Sequence, residues 1–99
     1  MTHPVPQLPK GLAPASIRDI ARRHGASDVR LFGSRAHGTA APDSDLDILV
    51  RLERGRDLLD LVALKQELVE KTGLQVDVLT ESTLSPYMRD HVMREAVPL

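Results

Sequence analysis

The sequence predicts a single α/β domain of the α+β kind, in which helices are packed on one face of a small mixed β-sheet. Two observations lead to this prediction. Segments with apolar residues every three or four positions alternate along the chain with short apolar runs, which is the pattern of helices alternating with strands. The chain has 99 residues, a length that supports one modest core and one domain.

The beginning of the chain divides into an arm and a first helix. Residues 1–13 are rich in proline and are predicted to form a loose arm, so that the domain covers residues 14–99. Pro14 suits the first turn of a helix, and the apolar residues after it recur at helical spacing. Gly25 follows two arginines and a histidine and is a natural terminator. The first helix is therefore predicted to end near His24.

The remaining elements follow from apolar patterns and turn residues. Asp57 or a neighbour is expected to cap a helix that Gly73 ends. A central strand is strongly apolar except for two acids near its start. The predicted elements are, in order, a strand around Val29–Phe32, one helical turn within 33–38, a turn at 41–44, a strand over 45–52, a helix over 57–72, a strand over 74–80 and a helix over 85–95.

Composition excludes several classes of function. The chain has no cysteine, so disulfides and thiolate zinc sites are excluded. Its four histidines are scattered rather than placed at metal-ligand spacing. The net charge is −1, with one Phe and one Tyr, which does not suit a nucleic-acid-binding face. The longest apolar runs are too short for a membrane span, and the proline-rich start is not a signal peptide. A cytoplasmic protein is expected.

Three acidic residues are the strongest candidates for a catalytic site. Side chains alternate along a strand, so Asp45 and Asp47 point the same way with Cα atoms about 7 Å apart. Asp77 lies in the middle of the next predicted strand, and the three carboxylates converge if these strands pair. No basic residue offsets them within the strand segments up to Val50 and Thr80. Oxygen ligands of this kind select Mg²⁺ or Mn²⁺, and two such ions support a phosphoryl displacement.

A glycine turn after the first predicted strand is a candidate phosphate site. Gly33 permits the close approach of a ligand, and Ser34 adds a hydroxyl donor. A helical turn that begins here would also offer free N–H groups to an anion. A P-loop is excluded because Gly38 is followed by Thr39 rather than by lysine, and a Rossmann fingerprint is excluded because Arg35 occupies a required glycine position.

The order of these residues resembles the DNA polymerase β-type nucleotidyltransferase superfamily. Gly33-Ser34 is followed after ten residues by Asp45-Leu46-Asp47 and then by Asp77. The run Gly-Ser-Arg-Ala-x-Gly and the ending Arg94–Leu99 are similar, more closely, to the minimal nucleotidyltransferase (MNT) antitoxins of HEPN–MNT toxin–antitoxin pairs. The resemblance extends from about Val29 to Leu99.

The resemblance implies a fold, an activity and a partner. The fold would be that of the polymerase β-like nucleotidyltransferases, and ATP would donate AMP. Asp45, Asp47 and Asp77 would be both catalytic residues and ligands of two Mg²⁺ ions, while Gly33 and Ser34 would bind the nucleotide. The acceptor would be a tyrosine hydroxyl on a HEPN ribonuclease toxin. The transfer of AMP would neutralise this toxin. No direct contact with a nucleic acid or a membrane is expected.

Two alternatives remain open on the sequence. The chain could be a non-catalytic antitoxin that covers the toxin. Asp45 and Asp47 could also be a turn acid and a solvated strand residue, and Gly33-Ser34 could be a strand-to-helix turn with an N-cap. The chain could also transfer a nucleotide to a small molecule, although little of it is left over to build an acceptor pocket. Arg35 and His37 could be structural or surface residues as readily as functional ones.

Overall fold

A four-stranded mixed sheet forms the centre of the protein, for which a computed structural model describes residues 7–99. The strands are β1 (Ala26–Phe32), β2 (Leu46–Leu52), β3 (Val76–Thr80) and β4 (Val97–Pro98). Their order across the sheet is β3-β2-β1-β4. β2 and β3 are parallel, whereas β1 is antiparallel to both β2 and β4. The central strands β1 and β2 therefore carry the residues with neighbours on both sides.

Within residues 7–99, four helices accompany the sheet. They are α1 (Pro14–Arg23), α2 (Ser34–His37), α3 (Leu58–Thr72) and α4 (Pro86–Glu95), with a short 3₁₀ turn at Glu81–Thr83. Pro14 occupies the first turn of α1, as the sequence predicts. In the described part of the chain, none of these helices has the length and apolar character needed to cross a bilayer.

The main core lies between one face of the sheet and the helices α1 and α3. Alternate residues of β2 point into it, because side chains alternate along a strand. Its fully buried members, which include large side chains from both helices and three strands, are Ile17, Leu31, Leu46, Ile48, Leu64, Leu68 and Val76. The predicted fold class, a small mixed sheet with helices, is confirmed.

The structure adds a second, smaller cluster on the opposite face. Leu49 of β2 is buried there beneath Leu84 and Val92, with Phe32, Leu79 and Met93 partly buried around them. Val92 and Met93 lie on α4, so this helix covers part of the face that the other long helices leave free. The remainder of that face carries the acidic residues of β2 and β3.

The prediction of a loose arm over residues 1–13 needs a correction for residues 7–13, and residues 1–6 lie outside the described residues. Leu8 and Leu12 pack against the main core. The Gln7 N–H donates to the Arg35 carbonyl oxygen at 2.9 Å, and the Gln7 side-chain oxygen accepts from the Ala40 N–H at 2.8 Å. The two leucines gain from burial, so this segment is part of the domain.

A capping box fixes the start of α3, and its removal gives a first testable prediction. The Asp57 carboxylate accepts from the Leu59 N–H at 2.9 Å, and the Asp60 carboxylate accepts from the Asp57 N–H at 2.9 Å. We expect Asp57→Ala to lower the free energy of unfolding by about 1 kcal/mol, the usual value of an N-cap. Asp57→Ser is the control, since serine also caps helices. Urea unfolding measures both; equal stability of the two variants would contradict a capping role.

Candidate active site

Two of the three predicted acids lie side by side on neighbouring strands. Asp47 in β2 and Asp77 in β3 are paired residues of the parallel ladder. Both side chains are half-buried. Behind them Leu46 and Ile48 are buried in the main core, which leaves the carboxylates on the other face. The pairing of the two strands thus brings Asp47 and Asp77 together, as the alternation in the sequence predicts.

The two carboxyl groups are close enough to form a hydrogen bond with each other. Such a bond requires a proton on one of them. Burial, together with the hydrogen bond to Asp77 and the charges of Asp77 and Asp45, raises the pKa of Asp47 from 3.8 to about 6, and the charge of Arg35 lowers it in part. The negative charges of Asp77 and Asp45 therefore repel that of Asp47.

The glycine turn lies directly against this pair. Gly33 follows β1 and precedes α2, with φ of 74° and ψ of −158°. A Cβ atom at Gly33 would lie 2.4 Å from Asp47 Oδ2, so the main chain approaches the carboxylate more closely than any other residue would allow. Ser34 is the first residue of α2 and is half-buried. The candidate phosphate turn and the acidic pair therefore form one site.

Asp45 stands slightly apart from the other two acids. It precedes β2 by one residue and its side chain is exposed, yet its charge acts on Asp47. Within residues 7–99 no three side chains of His, Asp or Glu are gathered into a set that could hold a metal ion as they stand. The role of Asp45 as a third ligand stays a prediction, and an exposed carboxylate reaches such a position by rotation about its side-chain bonds.

Two residues of α2 that the sequence left without a role make specific contacts. Arg35 is only 2% exposed and donates to main-chain carbonyl oxygens of the loop before β2. His37 is exposed, and its Nε2 lies 2.5 Å from Glu95 Oε2 at the end of α4. Neither contact has a signal in the sequence, because each joins α2 to a loop or helix end outside any periodic pattern.

The chemistry of the donors suits a hard divalent cation. Asp45, Asp47 and Asp77 offer only carboxylate oxygen, the ligand that Mg²⁺ and Mn²⁺ prefer. A cation bound between Asp47 and Asp77 would offset the repulsion between the two carboxylates. The residues present therefore fit a Mg²⁺ site next to a glycine turn.

Comparisons with known proteins agree with this geometry. The nucleotidyltransferase domain family matches residues 15–99. A candidate protein adenylyltransferase of Methanocaldococcus jannaschii is 45% identical over 81 residues, which cover 82% of this chain and 87% of that protein.

Solved structures are similar over most of their length as well. The structure of a candidate minimal nucleotidyltransferase aligns with a TM-score of 0.77 at 48% identity, over 87% of this chain and 88% of that one. A toxin–antitoxin structure with AMP-PNP aligns with a TM-score of 0.75 at 25% identity, over 88% of this chain and 72% of that one. The profile match, the shared fold and the acidic pair beside a glycine turn lead to one conclusion: this chain belongs to the nucleotidyltransferase domain family.

Proposed function

We propose that this protein is a Mg²⁺-dependent adenylyltransferase that moves AMP from ATP to a tyrosine hydroxyl of a HEPN ribonuclease toxin and thereby acts as its antitoxin. The observation that carries the proposal is the pair Asp47 and Asp77 beside Gly33. It joins carboxylates suited to divalent cations with a turn that admits a close ligand. Relatives named as adenylyltransferase and toxin–antitoxin proteins support the choice of reaction and partner.

Each residue of the site has a part in the proposed reaction. Asp45, Asp47 and Asp77 would hold two Mg²⁺ ions, which supply charge stabilisation during phosphoryl transfer. Asp77 would also accept the proton of the attacking hydroxyl. The new bond joins the acceptor oxygen to the α-phosphorus of ATP, the bond from that phosphorus to the β-phosphate oxygen breaks, and pyrophosphate leaves.

Ser34 would contribute to binding of the triphosphate, which gives a second testable prediction. We expect Ser34→Ala to weaken ATP binding by roughly 1 kcal/mol or more, the scale of one hydrogen bond to a charged group. Ser27→Ala is a matched control, because Ser27 is exposed at the other end of β1. Calorimetric titration with a non-hydrolysable ATP analogue measures both. Equal affinities for the two variants would remove Ser34 from the site.

The proposed function is tested on a HEPN-type protein, should one be encoded beside the gene for this chain. That protein is incubated with this one, Mg²⁺ and ATP, and its intact mass is measured. We expect the addition of one or more AMP units, and tandem mass spectrometry should place them on tyrosine. Addition should fail with Asp77→Asn and persist with Asp43→Asn, because Asp43 is an exposed turn residue.

The alternatives give different results in the same experiment. An unmodified toxin that is nevertheless inhibited in a stable complex would establish antitoxin action by steric covering alone. Transfer of AMP to a small molecule but not to the toxin would establish the small-molecule alternative. A modified toxin that stays active as a ribonuclease would contradict the antitoxin role, since an added phosphate near an RNA-binding surface should repel RNA.

A further inference from the structure

Arg35 is unusual among the charged residues of this protein. Across residues 7–99 it is the one charged residue that is buried, at 2% exposure. Burial of a guanidinium group is costly unless its N–H groups are satisfied. A residue that only shaped the surface of α2 would not need to be buried. The contacts of Arg35 therefore indicate its role.

Its guanidinium group binds main-chain carbonyl oxygens from two segments. Nε lies 3.2 Å from the oxygen of Ser44 and 3.3 Å from that of Asp45. Nη2 lies 3.0 Å from the oxygen of Pro42 and 2.9 Å from that of Ser44. Nη1 lies 3.0 Å from the oxygen of Gln7. The planar, five-donor group of arginine can connect these acceptors at once, and the single ammonium of a lysine cannot.

The loop that these bonds hold leads directly into the acidic site. It lies between α2 and β2, has no regular structure and is largely exposed from Thr39 to Asp43. Its internal contacts include bonds from the Ala41 N–H to Ser44 Oγ at 2.8 Å and from the Ser44 N–H to the Ala41 oxygen at 3.0 Å. The main chain at this point sets where the Asp45 side chain begins, and Arg35 holds that main chain.

We propose that Arg35 is a positioning residue of the active site: it fixes the main chain from Pro42 to Asp45. The main chain at Asp45 is thereby held at a position from which rotation of the side chain brings its carboxylate to Asp47 and Asp77, where it completes the ligand set of a divalent cation. The positive charge of Arg35 also acts on Asp47 and offsets part of the repulsion within the acidic site. Because Arg35 is buried, it acts through the loop and not by direct contact with a substrate. The inference rests on the proposed function, because it concerns the same metal site.

The test measures metal binding without nucleotide or partner, so that it is separate from the transfer reaction. Mn²⁺ is titrated into the protein and the free ion is followed by electron paramagnetic resonance, below the unfolding temperature of each variant. We expect Arg35→Lys to weaken Mn²⁺ binding at least roughly tenfold, the scale seen when a residue that orients metal ligands is changed. Arg54→Lys is the control, because Arg54 is exposed in the turn after β2.

A second variant covers the case in which Arg35→Lys does not fold. Ser44→Ala removes the hydrogen bond from the Ala41 N–H and loosens the same loop without touching the guanidinium, so it should weaken Mn²⁺ binding in the same direction. Restored AMP transfer by Arg35→Lys at high Mn²⁺ would support positioning. If both variants fold and bind Mn²⁺ as the wild type does, the inference is overturned, even where wild-type AMP transfer confirms the proposed function. A wild-type protein that binds no Mn²⁺ would overturn the inference and the metal site together.

Discussion

Replacing Asp47 with asparagine should abolish AMP transfer while the protein stays folded. Asparagine has nearly the same shape but lacks the charge that would hold a divalent cation. We expect a loss of roughly ten-thousandfold or more in the transfer rate, as when one member of a catalytic unit is removed. Transfer of labelled AMP to the toxin measures the rate, with Asp43→Asn as the matched acidic control. Substantial activity in Asp47→Asn would remove Asp47 from the site.

The same substitution should change how stability depends on pH. The pKa of Asp47 is raised from 3.8 to about 6 in the folded protein, so the folded state binds its proton more tightly than the unfolded chain does. The free energy of unfolding of the wild type therefore falls as the pH rises from about 4 to about 6. Above about pH 6 the contribution of Asp47 to this free energy is constant. Because water screens the half-buried side chain, we expect Asp47→Asn to be more stable at neutral pH by roughly 1 to 2 kcal/mol.

Chemical unfolding in the presence of a chelator measures this difference. The variant and the wild type should be equally stable near pH 4 and should diverge toward neutral pH. A constant difference across this range would show that the repulsion described for Asp47 and Asp77 does not affect folding. Added Mg²⁺ should reverse the order at neutral pH, since it binds the folded wild type and stabilises it.

Gly33→Ala is expected to have the second large effect. The new Cβ would lie 2.4 Å from Asp47 Oδ2, and the φ of 74° with ψ of −158° is a conformation almost restricted to glycine. We expect the free energy of unfolding to fall by roughly 2 to 3 kcal/mol, and AMP transfer to be lost because Asp47 must move. Thermal unfolding and the transfer assay measure the two effects.

Gly38 provides the control for this variant. Its φ is 76° with a ψ of 17°, a left-handed conformation that other residues adopt at a cost of about 1 to 2 kcal/mol. Among the described residues, and apart from the adjoining main chain, nothing lies within 4 Å of a Cβ at Gly38. Gly38→Ala should therefore be slightly less stable but fully active. If both glycine variants keep their activity, the close approach of Gly33 to Asp47 has no functional importance.

Much of the fold follows from the sequence, because its signals are local. Apolar spacing after Pro14 predicted α1, and the cap at Asp57 and the terminator at Gly73 predicted α3. The first half of β1 has no such signal, since Ala26-Ser27-Asp28 is partly polar and Asp28 has a φ of 51° at a register shift. β4 has two residues, one of them Pro98, and it forms only because β1 supplies a distant partner.

The relative position of two of the three acids also follows from the sequence. Alternation along β2 and β3 was sufficient to place Asp47 and Asp77 on one face, and the structure pairs them. The looser position of Asp45 depends on where β2 begins, which local patterns define only within a few residues. The burial and the contacts of Arg35 do not follow from the sequence. One of its hydrogen-bond acceptors is the distant Gln7, and no periodic pattern marks a buried arginine.

The register of β2 and β3 has a consequence for how the protein folds. Asp47 pairs with Asp77, and Leu46 with Val76, in the parallel ladder. A shift of β3 by one residue would turn Asp77 into the apolar core and bring a valine into its place, because side chains alternate along the strand. The buried charge would destabilise that arrangement strongly. A chain that folds with the correct register of β2 and β3 therefore has Asp47 and Asp77 side by side. A sheet with the shifted register, and with these two carboxylates apart, should not accumulate.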